Sequence, residues 1–286
     1  MTLRKRLTAP DILIAPGVYD GLTAALATDA GFEALYLSGA AVAYTRLGRP
    51  DIGLSTASEM TDTMALIADR TDLPVIMDAD TGFGNALNAR RTMQSYERAG
   101  ASALQVEDQT YPKKCGHLSD KSLIPKEEMA GKIAAMADAR RHDTLIIART
   151  DAIAVEGFDA AIDRAGSYID AGADVLFIEA PRDSGELSRI ADTFKGRVPL
   201  LANMVEGGAT PISSATTLED MGFEIVIFPG GIVRALARSA QDYYASLKAT
   251  GSNKAFSDRM HDFDGLNAAI GTPEMLALGK RFDGKS

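Results

Sequence analysis

The chain contains one cysteine, Cys115, three histidines and no tryptophan. A single cysteine excludes an intramolecular disulfide framework and the four-cysteine zinc patterns. No apolar run approaches the ~20 residues that a helix needs to cross a bilayer. The first residues, "MTLRKRLTAPDILIAPG", are basic but lack the roughly 7–15-residue apolar core of a signal peptide. A cytoplasmic protein with no membrane partner is therefore expected. Positive charge is also in short supply: the formal net charge is −9. A phosphate-backbone binder needs a basic face, so nucleic acid is not expected as a partner.

What is present is regular. Hydrophobic residues make up 46% and charged residues 24% of 286 residues, enough for a full core. The length suits one α/β barrel of ~250 residues. Eight short apolar runs recur: "ILIAPG" (12–17), "ALYLSG" (34–39), "PVIMDAD" (74–80), "ALQVED" (103–108), "TLIIARTD" (144–151), "VLFIEA" (175–180), "PLLANM" (199–204) and "EIVIFPG" (224–230). Most are apolar throughout, as parallel strands buried on both faces are. Between them the spacing predicts helices over 20–30, 55–70, 86–99, 127–140, 159–171, 185–194 and 214–221, with an eighth from about 232 to 249.

The helix ends repeat one phrase: "DAGFEAL" (29–35), "RAGASAL" (98–104), "DAGADVL" (170–176) and "DMGFEIV" (220–226). Each puts a glycine where a helix stop needs a left-handed residue, then enters a strand. Eight such units with no second domain predict a closed (β/α)8 barrel, with a doubly wound open sheet as the alternative. The whole chain, 1–286, reads as one barrel domain with a helical tail over 251–286, suited to packing on a neighbouring subunit.

Chemistry in such barrels sits at the C-terminal strand ends. There the runs carry Ser38, Gly39, Asp78, Asp80, Glu107, Asp108, Arg149, Asp151, Glu179, Asn203 and Glu206. So many polar exits on one rim point to an enzyme. Asp78 and Asp80, two apart on a strand, would share a face, with Glu107 on the next strand. Three facing carboxylates repel unless a cation neutralises them, and oxygen ligands favour Mg2+ or Mn2+ over zinc. The plainer alternative is that these acids cap helices or pair with Arg149. "TGFGNALN" (81–88) offers backbone amides to an anion or is simply a tight turn. The segment "DQTYPKKCGHLSDKSLIP" (108–125) is a strand-to-helix connection far above the usual 2–6 residues, roughly. Long connections on an active rim act as lids or binding loops. Lys113, Lys114 and His117 beside Cys115 would favour its thiolate; otherwise the thiol is exposed and silent.

These motifs together resemble the isocitrate lyase and phosphoenolpyruvate mutase superfamily. The likeness runs from "APGVYD" (15–20) to "EIVIFPG", and "PKKCGH" (112–117) is similar to the signature of its carbon–carbon lyases. The resemblance implies Mg2+ (or Mn2+) on Asp78, Asp80 and Glu107, and retro-aldol cleavage of a 2-hydroxy acid to an α-keto acid and a carboxylate. It implies that Cys115 protonates the enolate, tuned by Lys113 and His117, with Arg149 as the fourth catalytic residue. Tyr36, Ser38, Gly39, Ala40, Asp51, Gly116, Arg149, Glu179, Asn203, Thr210, Pro211 and Arg234 are the implied substrate contacts. A homotetramer exchanging a C-terminal helix is implied too.

The family's "EFG" reads here as "EGG" (206–208), and Phe263 aligns with an arginine that the methylisocitrate lyases use, Arg259 and His261 lying near. Loss of a bidentate carboxylate anchor points to a 2-alkylmalate such as 2,3-dimethylmalate. Alternatives within the resemblance are 2-methylisocitrate lyase, oxaloacetate hydrolase or decarboxylase, and a phosphonate mutase or hydrolase.

Overall fold

The computed structural model describes residues 1–116, 118 and 120–283. Eight strands, β1 (Leu13–Val18), β2 (Leu35–Leu37), β3 (Val75–Asp78), β4 (Ala103–Glu107), β5 (Leu145–Thr150), β6 (Val175–Ile178), β7 (Leu200–Asn203) and β8 (Ile225–Phe228), pair in parallel in that order. Strand β8 pairs back onto β1, Leu13 against Ile225, so the sheet is closed. The (β/α)8 expectation holds and the open-sheet alternative falls.

The connecting helices are α2 (Gly21–Asp29), α4 (Ala57–Arg70), α5 (Ala86–Arg98), α6 (Lys126–Ala139), α8 (Phe158–Asp170), α9 (Ser184–Phe194), α10 (Ala215–Met221) and α11 (Gly231–Thr250). Three four-residue helices, α1 (Leu3–Arg6), α3 (Gly39–Val42) and α7 (Ala152–Val155), and a π-helical turn at Ala43–Leu47 are additional. They are too short for apolar periodicity to announce them. Helix starts are built by side chains: Asp20, Thr56 and Asn85 each close a capping box, and Asp183 and Ser214 cap α9 and α10. Helix ends use the repeated glycines, with φ of +86° at Gly31, +101° at Gly100, +108° at Gly172 and +103° at Gly222.

Two compact units emerge, Met1–Gly231 and Ile232–Ser286. The first holds the barrel. Its axis is filled by alternate strand residues: Leu13, Ala15, Tyr36, Ile76, Ala103, Leu145, Ile147, Val175, Phe177, Leu201, Ile225 and Ile227 are all buried in one cluster, joined by Leu3 of α1. That period of two is what strands impose, and it carries the inward face up to the rim. The second unit continues α11 into a 3-10 turn (Asn253–Arg259), α12 (Phe263–Ala269) and α13 (Thr272–Lys280). There Phe256 meets the Tyr243 ring edge-on at 5.5 Å and lies under the Arg259 guanidinium.

The stop glycines differ in what surrounds them. A Cβ on Gly31 meets nothing within 4 Å, whereas on Gly100 it would lie 2.8 Å from the Ala68 Cβ. Gly31→Ala should therefore cost only the left-handed backbone penalty, about 1–2 kcal/mol. Gly100→Ala should cost clearly more, read as a lower urea midpoint at unchanged slope.

Candidate active site at the C-terminal rim

Extending each inward-facing ladder by one or two steps places the chemistry. Ile76 leads to Asp78, Ala103 to Gln105 and Glu107, Ile147 to Arg149, Phe177 to Glu179, and Leu201 to Asn203; all six are buried. Strand register sets them side by side, Asp78 against Gln105 and Glu107 against Arg149.

Asp80 corrects one expectation. It is not on β3, which ends at Asp78, but in the turn beyond, with φ of +45°. The chain turns here because the Asp80 N–H donates to Asp78 Oδ1 at 3.1 Å, a local side-chain-to-backbone bond that ends the strand. The Glu107 N–H donates to the Asp80 carbonyl at 2.9 Å, which holds the turn against the end of β4.

A buried lysine stands among them. Lys113 Nζ lies 2.6 Å from Asp51 Oδ1 and 3.0 Å from Asp80 Oδ1. The second contact is an ion pair whose geometry leaves Asp80 Oδ1 without a hydrogen bond. Burial alone would lower the lysine's pKa, but Asp80 and Asp51, then Asp78 and Glu107, push it well above the ordinary value. Lys113 is thus a fixed cation. Burial is also the main reason Asp80 rises to about 6, Lys113 opposing and Asp78 and Asp51 reinforcing it. Burial likewise pushes Glu107 well up, against the pull of Arg149.

Arg149 is the second cation. It clamps Asp151 with Nε and Nη2, at 2.9 and 3.0 Å, and approaches Glu107 at 3.3 Å and Glu179 at 3.4 Å. Its guanidinium lies 5.1 Å from the Phe177 ring centroid. Burial pushes Asp151 up, yet Arg149 and Lys121 hold it at about 2. Glu179 Oε2 accepts from Asn203 Nδ2 at 3.0 Å.

The cysteine segment lies over these groups. A Cβ on Gly116 would collide with the Arg149 guanidinium and with Glu179, so only glycine lets the backbone come this close. The Cys115 N–H donates to the Asp51 carbonyl at 3.2 Å. Gln109 spans Glu107 Oε1 (2.9 Å) and the Lys114 carbonyl (2.8 Å), and its Oε1 accepts from Lys114 N–H. Lys114 Nζ donates to the Asp120 carbonyl. Both lysines expected to act on the thiol are thus engaged elsewhere. His117 lies outside the described residues.

Among the other expected contacts, Tyr36 OH donates to Gln105 Oε1, and Gln105 Nε2 reaches Asp78 Oδ1 at 3.4 Å. Ser38 caps α3, and the Gly39 N–H points at Asp78 Oδ2, 3.3 Å away, with Ala40 next in the same turn. Asn203 Oδ1 and Thr210 Oγ1 are buried without a hydrogen bond, and Pro211 follows on the same loop. Arg234 belongs to α11 in the second unit. The "TGFGNALN" turn is a plain one: its helix start is capped by the Asn85 side chain, at 2.9 Å from Leu87 N. Gln105, Gln109 and Lys121 join the site without having been expected as its members, and Asp151, read only as a polar strand exit, proves to be the partner of Arg149. A glutamine inside an otherwise apolar strand was the one readable sign for Gln105.

Among the described residues, no three His, Cys, Asp or Glu side chains already stand together as a cation cage. The donor chemistry nevertheless fits Mg2+: Asp78, Asp80 and Glu107 supply only oxygen, all are buried, and Asp80 Oδ1 lacks a hydrogen bond.

Residues 3–248 match the family model described as phosphoenolpyruvate phosphomutase. The chain belongs to the phosphoenolpyruvate mutase/isocitrate lyase superfamily. It is 47% identical over 259 residues to 2-methylisocitrate lyase of Bacillus subtilis, covering 91% of this chain and 84% of that one. It is 41% identical over 270 residues to 2,3-dimethylmalate lyase of Eubacterium barkeri, covering 94% and 93%. A 2,3-dimethylmalate lyase crystal structure superposes with a TM-score of 0.93 at 36% identity, covering 99% of this chain and 97% of that one. Phosphonopyruvate hydrolase, solved with oxalate and Mg2+, superposes at 0.89 and 31% identity, with 99% of each chain covered. The chain is an enzyme, and these relatives place it with the superfamily's carbon–carbon lyases.

Gly116→Ala should leave the fold intact by circular dichroism but lower kcat about a hundredfold, since the cysteine segment can no longer settle on Arg149. Wild-type turnover in this variant would contradict the described closure.

Proposed function

We propose that this protein is a Mg2+-dependent lyase that cleaves a 2-alkylmalate, with 2,3-dimethylmalate as the favoured substrate. The observation that carries the reading is the closure of the Cys115–Gly116 backbone over Arg149 and Glu179, beside the buried acids Asp78, Asp80 and Glu107. Asp78, Asp80 and Glu107 would hold the ion, with Mn2+ as a possible replacement. Magnesium, when bound, would supply a Lewis acid for the negative charge that develops on the substrate's 2-oxygen.

The remaining work belongs to the protein. Arg149, oriented by Asp151, presents its remaining N–H groups to the substrate carboxylate, and the amides of Gly39 and Ala40 lie on the same rim. Thr210, whose buried hydroxyl is unbonded and can donate, and the second N–H of Asn203 Nδ2 suit the carboxylate of the second product, and Tyr36, Ser38 and Pro211 complete the barrel's part of the substrate set. Transfer of the 2-hydroxyl proton to a buried rim carboxylate and rupture of C2–C3 release pyruvate and leave a carboxylate enolate. Cys115, as a thiol, protonates the enolate carbon, with His117 adjusting its proton affinity. Lys113 acts through Asp51 and Asp80, whose charges it offsets. The closed segment keeps water from the enolate.

Gly207 and Phe263 stand where the tricarboxylate enzymes of the resemblance carry a phenylalanine and an arginine, which favours the smaller, apolar 3-substituent. The identity to 2-methylisocitrate lyase supports the second reading, cleavage to pyruvate and succinate. A homotetramer is part of the proposal, since α12 and α13 expose Phe263, Met275 and Leu276. Among the described residues, no helix is long and apolar enough to cross a membrane.

Incubation with 2,3-dimethylmalate, 2-methylisocitrate, 2-methylmalate and oxaloacetate, with and without Mg2+, tests the reading. Pyruvate with propionate from the first is the expected result, pyruvate with succinate from the second supports the rival, and no Mg2+-dependent turnover of any refutes both. Cys115→Ser should lose about a hundredfold or more in kcat while Mg2+ binding by calorimetry persists. Asp80→Asn should weaken that binding.

A further inference from the structure

Among the described residues, Lys121 is the one buried cation at the rim to which the reading above gives no task. Its side chain is 2% exposed, although it lies in the long connection between β4 and α6. A buried ammonium is costly unless it is paired and hydrogen-bonded. Two groups satisfy it. Lys121 Nζ donates to Asp151 Oδ1 at 2.8 Å, and it donates to the carbonyl of Gly116. Asp151 is wholly buried at the end of β5, so it is part of the rigid barrel. Gly116 is the residue after Cys115 and rests on Arg149 and Glu179.

We propose that Lys121 is the positioning residue for Cys115: it ties the cysteine segment to Asp151 and thereby sets where the thiol stands. The task rests on the lyase reading only for why the thiol's place matters. Three features favour a latch over simple filler. The bond to Gly116 falls on a backbone carbonyl, so it fixes the main chain one residue from the thiol. The anchor is a carboxylate held ionised by Arg149, so the ion pair survives across the neutral range. And Asp151 holds both cations at once, Arg149 through Nε and Nη2 and Lys121 through Nζ. One carboxylate therefore orients the group that grips the substrate and the group that seats the acid.

The effect is separable from binding. In Lys121→Met the Arg149–Asp151 clamp remains, so KM and Mg2+ affinity should stay within about twofold of wild type while kcat falls about a hundredfold. Independently of any substrate, Cys115 should become more accessible. Alkylation by iodoacetamide at pH 7.5, followed by intact mass, should run about tenfold faster in Lys121→Met than in wild type. Lys121→Arg, which keeps a charged donor, should recover much of both losses.

A folded Lys121→Met that alkylates at the wild-type rate overturns the latch, as does one whose loss lies in KM alone. Should Lys121→Met not fold, Lys121→Gln is labelled in its place and judged by the same criterion. The labelling needs no turnover, so a failed substrate panel sinks the lyase reading without touching this result, and a wild-type labelling rate sinks the latch without touching that reading.

Discussion

Everything at the rim depends on an excess of buried negative charge. Among the described residues, the cations facing Asp51, Asp78, Asp80, Glu107, Asp151 and Glu179 are Lys113, Lys121 and Arg149. Carboxylates removed from water and set side by side repel, and the low-dielectric surroundings strengthen the repulsion. Asp80 and Glu107 register this as raised proton affinities. A site in that condition carries more negative charge than its lysines and arginine offset. The same shortage explains why Lys113 and Arg149 are each shared by two or more acids.

The contrast with Asp108 makes the point. That carboxylate is also buried, yet it accepts from Thr150 Oγ1, the Asp151 N–H and Tyr168 OH at 2.7, 3.0 and 2.8 Å, with Arg164 nearby. It is saturated by protein donors and has nothing left for a ligand. Charge alone does not distinguish a binding carboxylate from a structural one; the number of donors already pointing at it does.

Much of this was legible from the chain. Apolar runs gave the eight strands, stop glycines gave the helix ends, and polar strand exits gave Asp78, Glu107, Arg149, Glu179 and Asn203. These features are local, repeating every two residues in strands and about every 3.6 in helices. What stayed hidden is not periodic. Asp80 lies off its strand because a side-chain bond to its own amide turns the backbone left-handed. The partner of Lys113 is 62 residues away, and that of Lys121 is 30, distances over which spacing says nothing. The neighbours of Cys115 suggested a cluster acting on the thiol, whereas in space Lys113 turns to the acids and Lys114 to the Asp120 carbonyl.

Glu107 and Asp108 are consecutive, yet one bonds Gln109 and Arg149 at the axis while the other bonds Thr150, Tyr168 and Arg164 on the opposite side. Sliding β4 by a single position would hand each the other's surroundings: an acid stripped of its donors in the wall, and a sated one at the reaction centre. A mispaired barrel of this sequence would therefore be unstable and inert by the same error, which makes catalytic competence a direct reporter of correct strand pairing.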